Sequence, residues 1–151
     1  MAKLLKIEQG EWVVVCDGKK ALWLENVGDA VFPNLATKQV QDHADQPTHE
    51  QGTDAPGRAL NSVGAVRSAV EQTDWHELAE RAFLDQLARR LDRAVAEGHI
   101  KRVVVVAPPR ALGVLRQNYT PRLRQAVRAE IDKDLVRMPV HEIEKHLVPP
   151  I

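Results

Sequence analysis

The chain is short of several things, and each shortage removes a class of protein. Its 151 residues contain one cysteine, Cys16, so no internal disulfide and no cysteine-based zinc site can form. Aromatic residues make up only 4%. There is no surplus of charge, because 21 Lys and Arg balance 21 Asp and Glu. A chain-wide polybasic nucleic-acid binder is therefore excluded. No run approaches the roughly 20 apolar residues of a membrane-spanning helix. The opening MAKLLKIEQGEW has its apolar residues interrupted by Lys6 and Glu8, which argues against a secretory leader. The expectation is a cytoplasmic protein with no membrane association.

What is present is ordinary for a globular protein, with 44% hydrophobic and 28% charged residues. The length suits a single domain, 1–151, with a real core. WVVVCDGKKALWLENV reads as a hairpin: a strand Trp12 to Cys16, an Asp17-Gly18 turn, and a return from Lys20 to Val27. Cys16, inside this strand pattern, reads as a buried inert thiol. A weaker third strand is expected near Val31 to Val40, pushed toward an edge or bulge by Pro33. From Gln41 to Thr73 large apolar residues nearly vanish before Leu60, and the segment reads as a long polar loop, with a short helical turn around Ala65 to Glu71.

Asp74 followed by Glu77 has the spacing of a capping box. A helix is expected from there to Gly98, with Trp75, Leu78, Ala79, Ala82, Leu87, Leu91 and Ala94 or Val95 inward. Glu77–Arg81 and Asp85–Arg89 would then pair along its solvent side. Val103 to Ala107 is a fully apolar, β-branched run, the mark of a covered strand. Pro108 and Pro109 end it, and Pro109 suits the first turn of a helix carrying Ala111, Leu112 and Leu115. A strand from Val127 to Lys133 follows, with a helix as competitor, and Pro139 opens a last helix with Val140, Ile143 and Leu147 inward. The order implies an α/β fold: a mixed sheet of about five strands flanked by helices.

Three constellations carry chemistry. His43, Asp45 and His49, and then His141, Glu142, Glu144 and His146, are metal-capable types, but five-residue spacing puts His141 and His146 on different helix faces, and no metal or other cofactor is expected. Asp17 and Asp132 or Asp134 are the carboxylates a two-metal nuclease would need at strand ends, although Asp-Gly is also a plain turn signal. Between Gly98 and Ala129 stand Lys101, Arg102, Arg110, Arg116, Arg122, Arg124 and Arg128 with Tyr119 among them and no acid. This block either grips phosphates or balances the acids of the loop and the long helix. Arg110, at the end of a buried strand where α/β proteins bind ligands, either pairs with Asp17 or joins Arg58 and Arg116 in an anion-binding face.

RVVVVAPPRALGVLR followed by AVRAEIDKDLVRMPVHEIEKHL resembles the bacterial family named as proteins required for attachment to host cells. The hairpin WVVVCDGKKALWL, Pro56-Gly57-Arg58 and the helix from Trp75 match as well. That family is similar to the middle domain of archaeal and eukaryotic peptide-chain release factors, which implies a ribonuclease H-like mixed sheet. In those factors the long connection carries a catalytic Gly-Gly-Gln. Here the corresponding THEQGTDAPGRALNSVG has only Gln51-Gly52 and Gly57-Arg58, so no catalytic residue and no peptidyl-tRNA hydrolysis is implied. What the resemblance leaves is a non-enzymatic binding module. Arg58, Arg110, Arg116 and Asp17 are its anion or partner contacts, and Gln51, Gly52 and Gly57 its loop contacts. Its partner would be the ribosome, RNA or another protein. The alternatives are an adhesion factor acting at the cell surface and a metal-dependent nuclease or hydrolase.

Overall fold

The structure, a computed structural model, describes residues 6–42 and 65–147, and of 65–74 the backbone alone. Five strands form one mixed sheet: β1 (Trp12–Cys16), β2 (Lys20–Asn26), β3 (Leu35–Asp42), β4 (Val103–Ala107) and β5 (Val127–Asp132). Their spatial order is β3-β2-β1-β4-β5. β1 is parallel to β4, β4 to β5, and β2 is antiparallel to both β1 and β3. Every strand except β2 therefore points the same way. The mixed sheet with helices on its faces is the fold class read from the sequence, and it is compatible with the ribonuclease H-like arrangement.

Side chains alternate across the sheet and divide the core in two. On one face Val14, Cys16, Trp23, Val103 and Val105 meet three helices: α1 (Ala65–Ala96), α2 (Pro109–Gln117) and α3 (Pro121–Ala126). On the other, Val13, Val15, Leu22, Leu24, Val104 and Val106 meet α4 (Val140–Leu147) through Ile143 and Leu147. β4 is buried along its whole length because both faces are covered, as its unbroken apolar run requires.

Three expectations need correction. β3 begins at Leu35, not near Val31, because Asp29 folds the chain first: its Oδ1 accepts the Val31 and Phe32 amides at 2.9 and 2.7 Å. Pro33 stays outside the strand, and β3 is an edge with a register shift opposite Trp23/Leu24. Gln41 and Asp42, read as the start of the loop, complete this strand. α1 starts at Ala65, so Asp74 does not cap it, and the turn expected at Ala65 to Glu71 is the first part of a 32-residue helix. No Pro or Gly interrupts 65–96, and a local capping signal cannot stop a helix that the flanking residues can continue. The third is the helix's inner stripe. Trp75 and Leu78 are 62% and 61% exposed and Ala82 is exposed, while Phe83, Leu84 and Ala88 join Leu87 and Leu91 in the core.

The reason is length. At 1.5 Å per residue α1 runs about 48 Å, against about 17 Å for a five-residue strand. Its carboxyl half covers the sheet, and Gly98, at φ +82°, turns the chain toward β4. Its amino half continues past the carboxyl ends of the strands, where no sheet lies beneath it. The segment 43–64, which holds most of the expected loop, lies outside the described residues.

Candidate functional site

β1 and β4 end side by side, and their connections together with α1 enclose a cavity of about 500 Å³. After β1, Asp17 Oδ1 accepts the amides of Lys19 and Lys20, both at 2.8 Å, and the Asp17 amide donates to the Lys20 carbonyl at 2.9 Å. This is the turn that Asp-Gly announces. Gly18 lets α1 come close, since a Cβ there would stand 2.9 Å from the Glu80 side chain. After β4, Pro108 and Pro109 start α2 with no side-chain cap.

Arg110 leaves the first turn of α2 and donates from Nη2 to Glu77 Oε1 at 2.7 Å. Its partner within the fold is thus Glu77 and not Asp17, and Glu77 does not pair with Arg81 along α1. Asp17 and Arg110 do line the same cavity, as do Lys19, Glu80, Arg81 and Arg137. Lys19, Arg81 and Arg137 have no ion-pair partner among the described residues. The cleft is a mixed-charge surface drawn from four places, the β1–β2 turn, α1, α2 and the segment between β5 and α4, and is able to orient a charged segment.

Half of the remaining basic block, Arg116, Arg122 and Arg128, is engaged within the fold, while Lys101, Arg102 and Arg124 have no ion-pair partner among the described residues. Arg122 grips Asp92 with Nε and Nη2 at 3.0 and 2.8 Å, and Thr120, the cap of α3, donates to the same carboxylate at 2.6 Å. The Arg122 and Thr120 hydrogen bonds hold the Asp92 carboxyl below its usual range, and the carboxylate raises Arg122 in return. Arg116 donates to Glu130 Oε1 at 2.8 Å while the Tyr119 hydroxyl donates to Oε2 at 2.9 Å. Burial above all, then this carboxylate, pushes the Tyr119 phenol up, so it remains a donor. Arg128 makes a two-pronged contact with Glu11 at 2.7 and 3.1 Å. Of the two readings, internal balance describes these arginines, although their acids come from β5, α1 and the chain before β1.

Arg110 and Arg116 line different cavities. Arg116 lines a second cavity of about 400 Å³ beside β5. Arg58, Gln51, Gly52 and Gly57 lie outside the described residues, as do His43, Asp45 and His49. Asp132 and Asp134 are exposed and line neither cavity. Among the described residues no three His, Cys, Asp or Glu side chains come together as a metal-binding group. Cys16 is fully buried, and desolvation followed by the Asp17 charge pushes its thiol far up, keeping it protonated and unreactive. The cleft residues missed by sequence reading are Glu77 as the partner of Arg110, and Lys19, Glu80 and Arg137. Only the Asp17-Gly18 turn hinted at any of them.

Compared with known families, residues 12–147 match the model described as protein required for attachment to host cells. No curated protein matches the chain. No helix among the described residues is long and apolar enough to cross a membrane.

Proposed function

The chain belongs to the family of proteins required for attachment to host cells, and from that premise we propose that it is a non-enzymatic binding module whose partner docks at the cleft between the ends of β1 and β4. The observation that carries this reading is the convergence of Lys19, Arg81, Arg110 and Arg137 on one cavity, three of them without ion-pair partners among the described residues. Such strand-end clefts are where open α/β sheets hold their ligands. A protein partner is favoured over the ribosome or RNA. Arg116, Arg122 and Arg128, which a phosphate-gripping surface would need, are committed to Glu130, Asp92 and Glu11. The likeness to release-factor middle domains belongs to this reading as one of shape, since the Gly-Gly-Gln of hydrolysis has no counterpart in the sequence. On this reading the protein acts in the cytoplasm and influences attachment through its partner.

The test joins location to the cleft. Native cells are fractionated into surface, cytosol and ribosome pools, and attachment is counted for cells carrying Arg110→Glu with Arg137→Glu. Cytosolic protein with attachment lost at unchanged protein level supports the reading. Protein that protease removes from intact cells favours an adhesin acting at the surface. Normal attachment in the double variant removes the cleft from the function altogether.

A further inference from the structure

The sheet has two edges, β3 and β5, and they are finished differently. β3 carries an exposed Lys38 and is approached by α4, whose Glu144 Oε2 accepts the Leu35 amide at 3.0 Å. A lysine and a covering helix are the usual guards of an edge. β5 has neither. None of its six residues is buried, whereas all of β4 is. Its hydrogen bonds run to β4 on one side: the Lys133 amide donates to the Ala107 carbonyl at 3.1 Å. By alternation, the amides of Ala129 and Ile131 also face β4, and those of Glu130 and Asp132 face the open side; the ladder slips between Val103 and Val104, where Arg128 is the extra residue, so the alternation stops there.

The cavity of about 400 Å³ lies along this edge. Its walls are Arg116, Arg124, Arg128 and Tyr119, its apolar patch is Val127 and Ala129, and its single acid is Glu130. Glu130 is already satisfied by Arg116 and Tyr119, and Arg124 has no ion-pair partner among the described residues. Among the described residues nothing covers the backbone donors and acceptors of Glu130 and Asp132, which run beside a partly apolar hollow with Arg124 as its one cation lacking an ion-pair partner.

We propose that the open edge of β5 is a docking site for an extended acidic segment of a partner protein, which adds to the sheet as a sixth strand and sets a carboxylate against Arg124, the one cation of this cavity without an ion-pair partner among the described residues. Main-chain bonds supply affinity in this mode of recognition and alternate side chains supply selectivity. RNA would satisfy the arginines but has no amide ladder to offer, so the backbone edge selects peptide. The site is separate from the strand-end cleft, and either can fail without the other.

The probe is a fluorescein-labelled peptide of about ten residues that alternates glutamate with valine, enough to span one strand. It is titrated against the full chain by anisotropy at low and moderate salt. Comparators are the lysine–valine counterpart, the same acidic peptide N-methylated at alternate residues, and an oligouridylate of similar length. The acidic peptide binds best. N-methylation on the sheet-facing register and Arg124→Glu each weaken it by about tenfold or more, since each removes a set of hydrogen bonds or a charge contact. Asp132→Pro, which deletes one open-side amide, weakens binding while Asp132→Asn does not. Amides 130 and 132 become protected from hydrogen exchange. Equal binding of acidic and basic peptides, or undiminished binding of both N-methyl registers, overturns strand addition. Oligouridylate binding more tightly than peptide in an Arg124-dependent way overturns the choice of partner. Should Asp132→Pro lose its fold by circular dichroism, the N-methylated peptides on the unaltered chain decide the matter.

Discussion

Each end of the sheet has an arginine paired with a glutamate, and their surroundings are opposite. At the amino ends of the parallel strands, Arg128 meets Glu11, whose side chain is 5% exposed and also accepts the Glu8 amide at 2.7 Å. Arg128 further donates to the Lys6 carbonyl at 2.8 Å, tying β5 to the chain before β1. Asn26 completes this end, fully buried, its amide nitrogen donating to Ile7 at 3.0 Å and its oxygen accepting the Asn34 amide at 2.9 Å. At the carboxyl ends, Arg110 and Glu77 are equally close at 2.7 Å but 71% and 54% exposed. Distance is the same, so water decides. The first pair holds the fold together, and the second is a surface contact that a partner can exchange at little cost.

Breaking the buried pair gives the largest effect. Arg128→Ala strands the Glu11 carboxylate away from water, and a loss of about 3 kcal/mol is expected in urea unfolding. A change below about 1 kcal/mol would mean that water reaches Glu11. The opposite sign is expected at the other end of the sheet. Gln41 is 3% exposed and neither of its side-chain polar atoms has a hydrogen-bond partner among the described residues. Gln41→Leu should therefore stabilise the chain by about 1 kcal/mol, seen as a raised thermal midpoint.

Asp92 sharpens the comparison through pH. Its carboxyl is held below the ordinary range, first by the Arg122 hydrogen bond and then by Thr120. The folded value lies below the unfolded one, so its stabilisation is present above about pH 4 and fades as pH falls through the folded value. Asp92→Asn should lower the melting temperature at neutral pH and converge with the parent chain in acid. A gap that persists undiminished at about pH 2 would refute the charge contribution. The smallest effect belongs to Arg110→Ala, about 0.5 kcal/mol or less, because an exposed pair in water contributes little. A loss rivalling that of Arg128→Ala would show that the cleft arginine is structural.

The elements that were legible from sequence are those whose signal is local. Asp17-Gly18 made the hairpin, Val103 to Ala107 the buried strand, Pro108-Pro109 the start of α2, and Gly98 the end of α1. The short α3 escaped notice, because six residues from Pro121 give too little periodicity. The inner face of α1 was misjudged at Trp75 and Leu78, since helical periodicity reports that a stripe exists but not how far the sheet beneath it extends. Arginines 110, 116, 122 and 128 formed one block in the sequence, yet their partners come from positions 77, 130, 92 and 11.

The sequence by itself determined the class of fold, the family, the central strands and the impossibility of disulfide or cysteine-zinc chemistry, because each follows from residue type and near-neighbour spacing. Only the tertiary structure decided which charges are free. A side chain's net charge is covalent and can be counted, but whether it meets a carboxylate, a backbone carbonyl or water depends on residues brought together across as many as 122 positions, as with Arg128 and the Lys6 carbonyl. The two ends of the sheet, alike in carrying an Arg–Glu pair, part company there: at one, packing excludes water and fixes the pair, and at the other α1 runs past the strands and leaves it exposed.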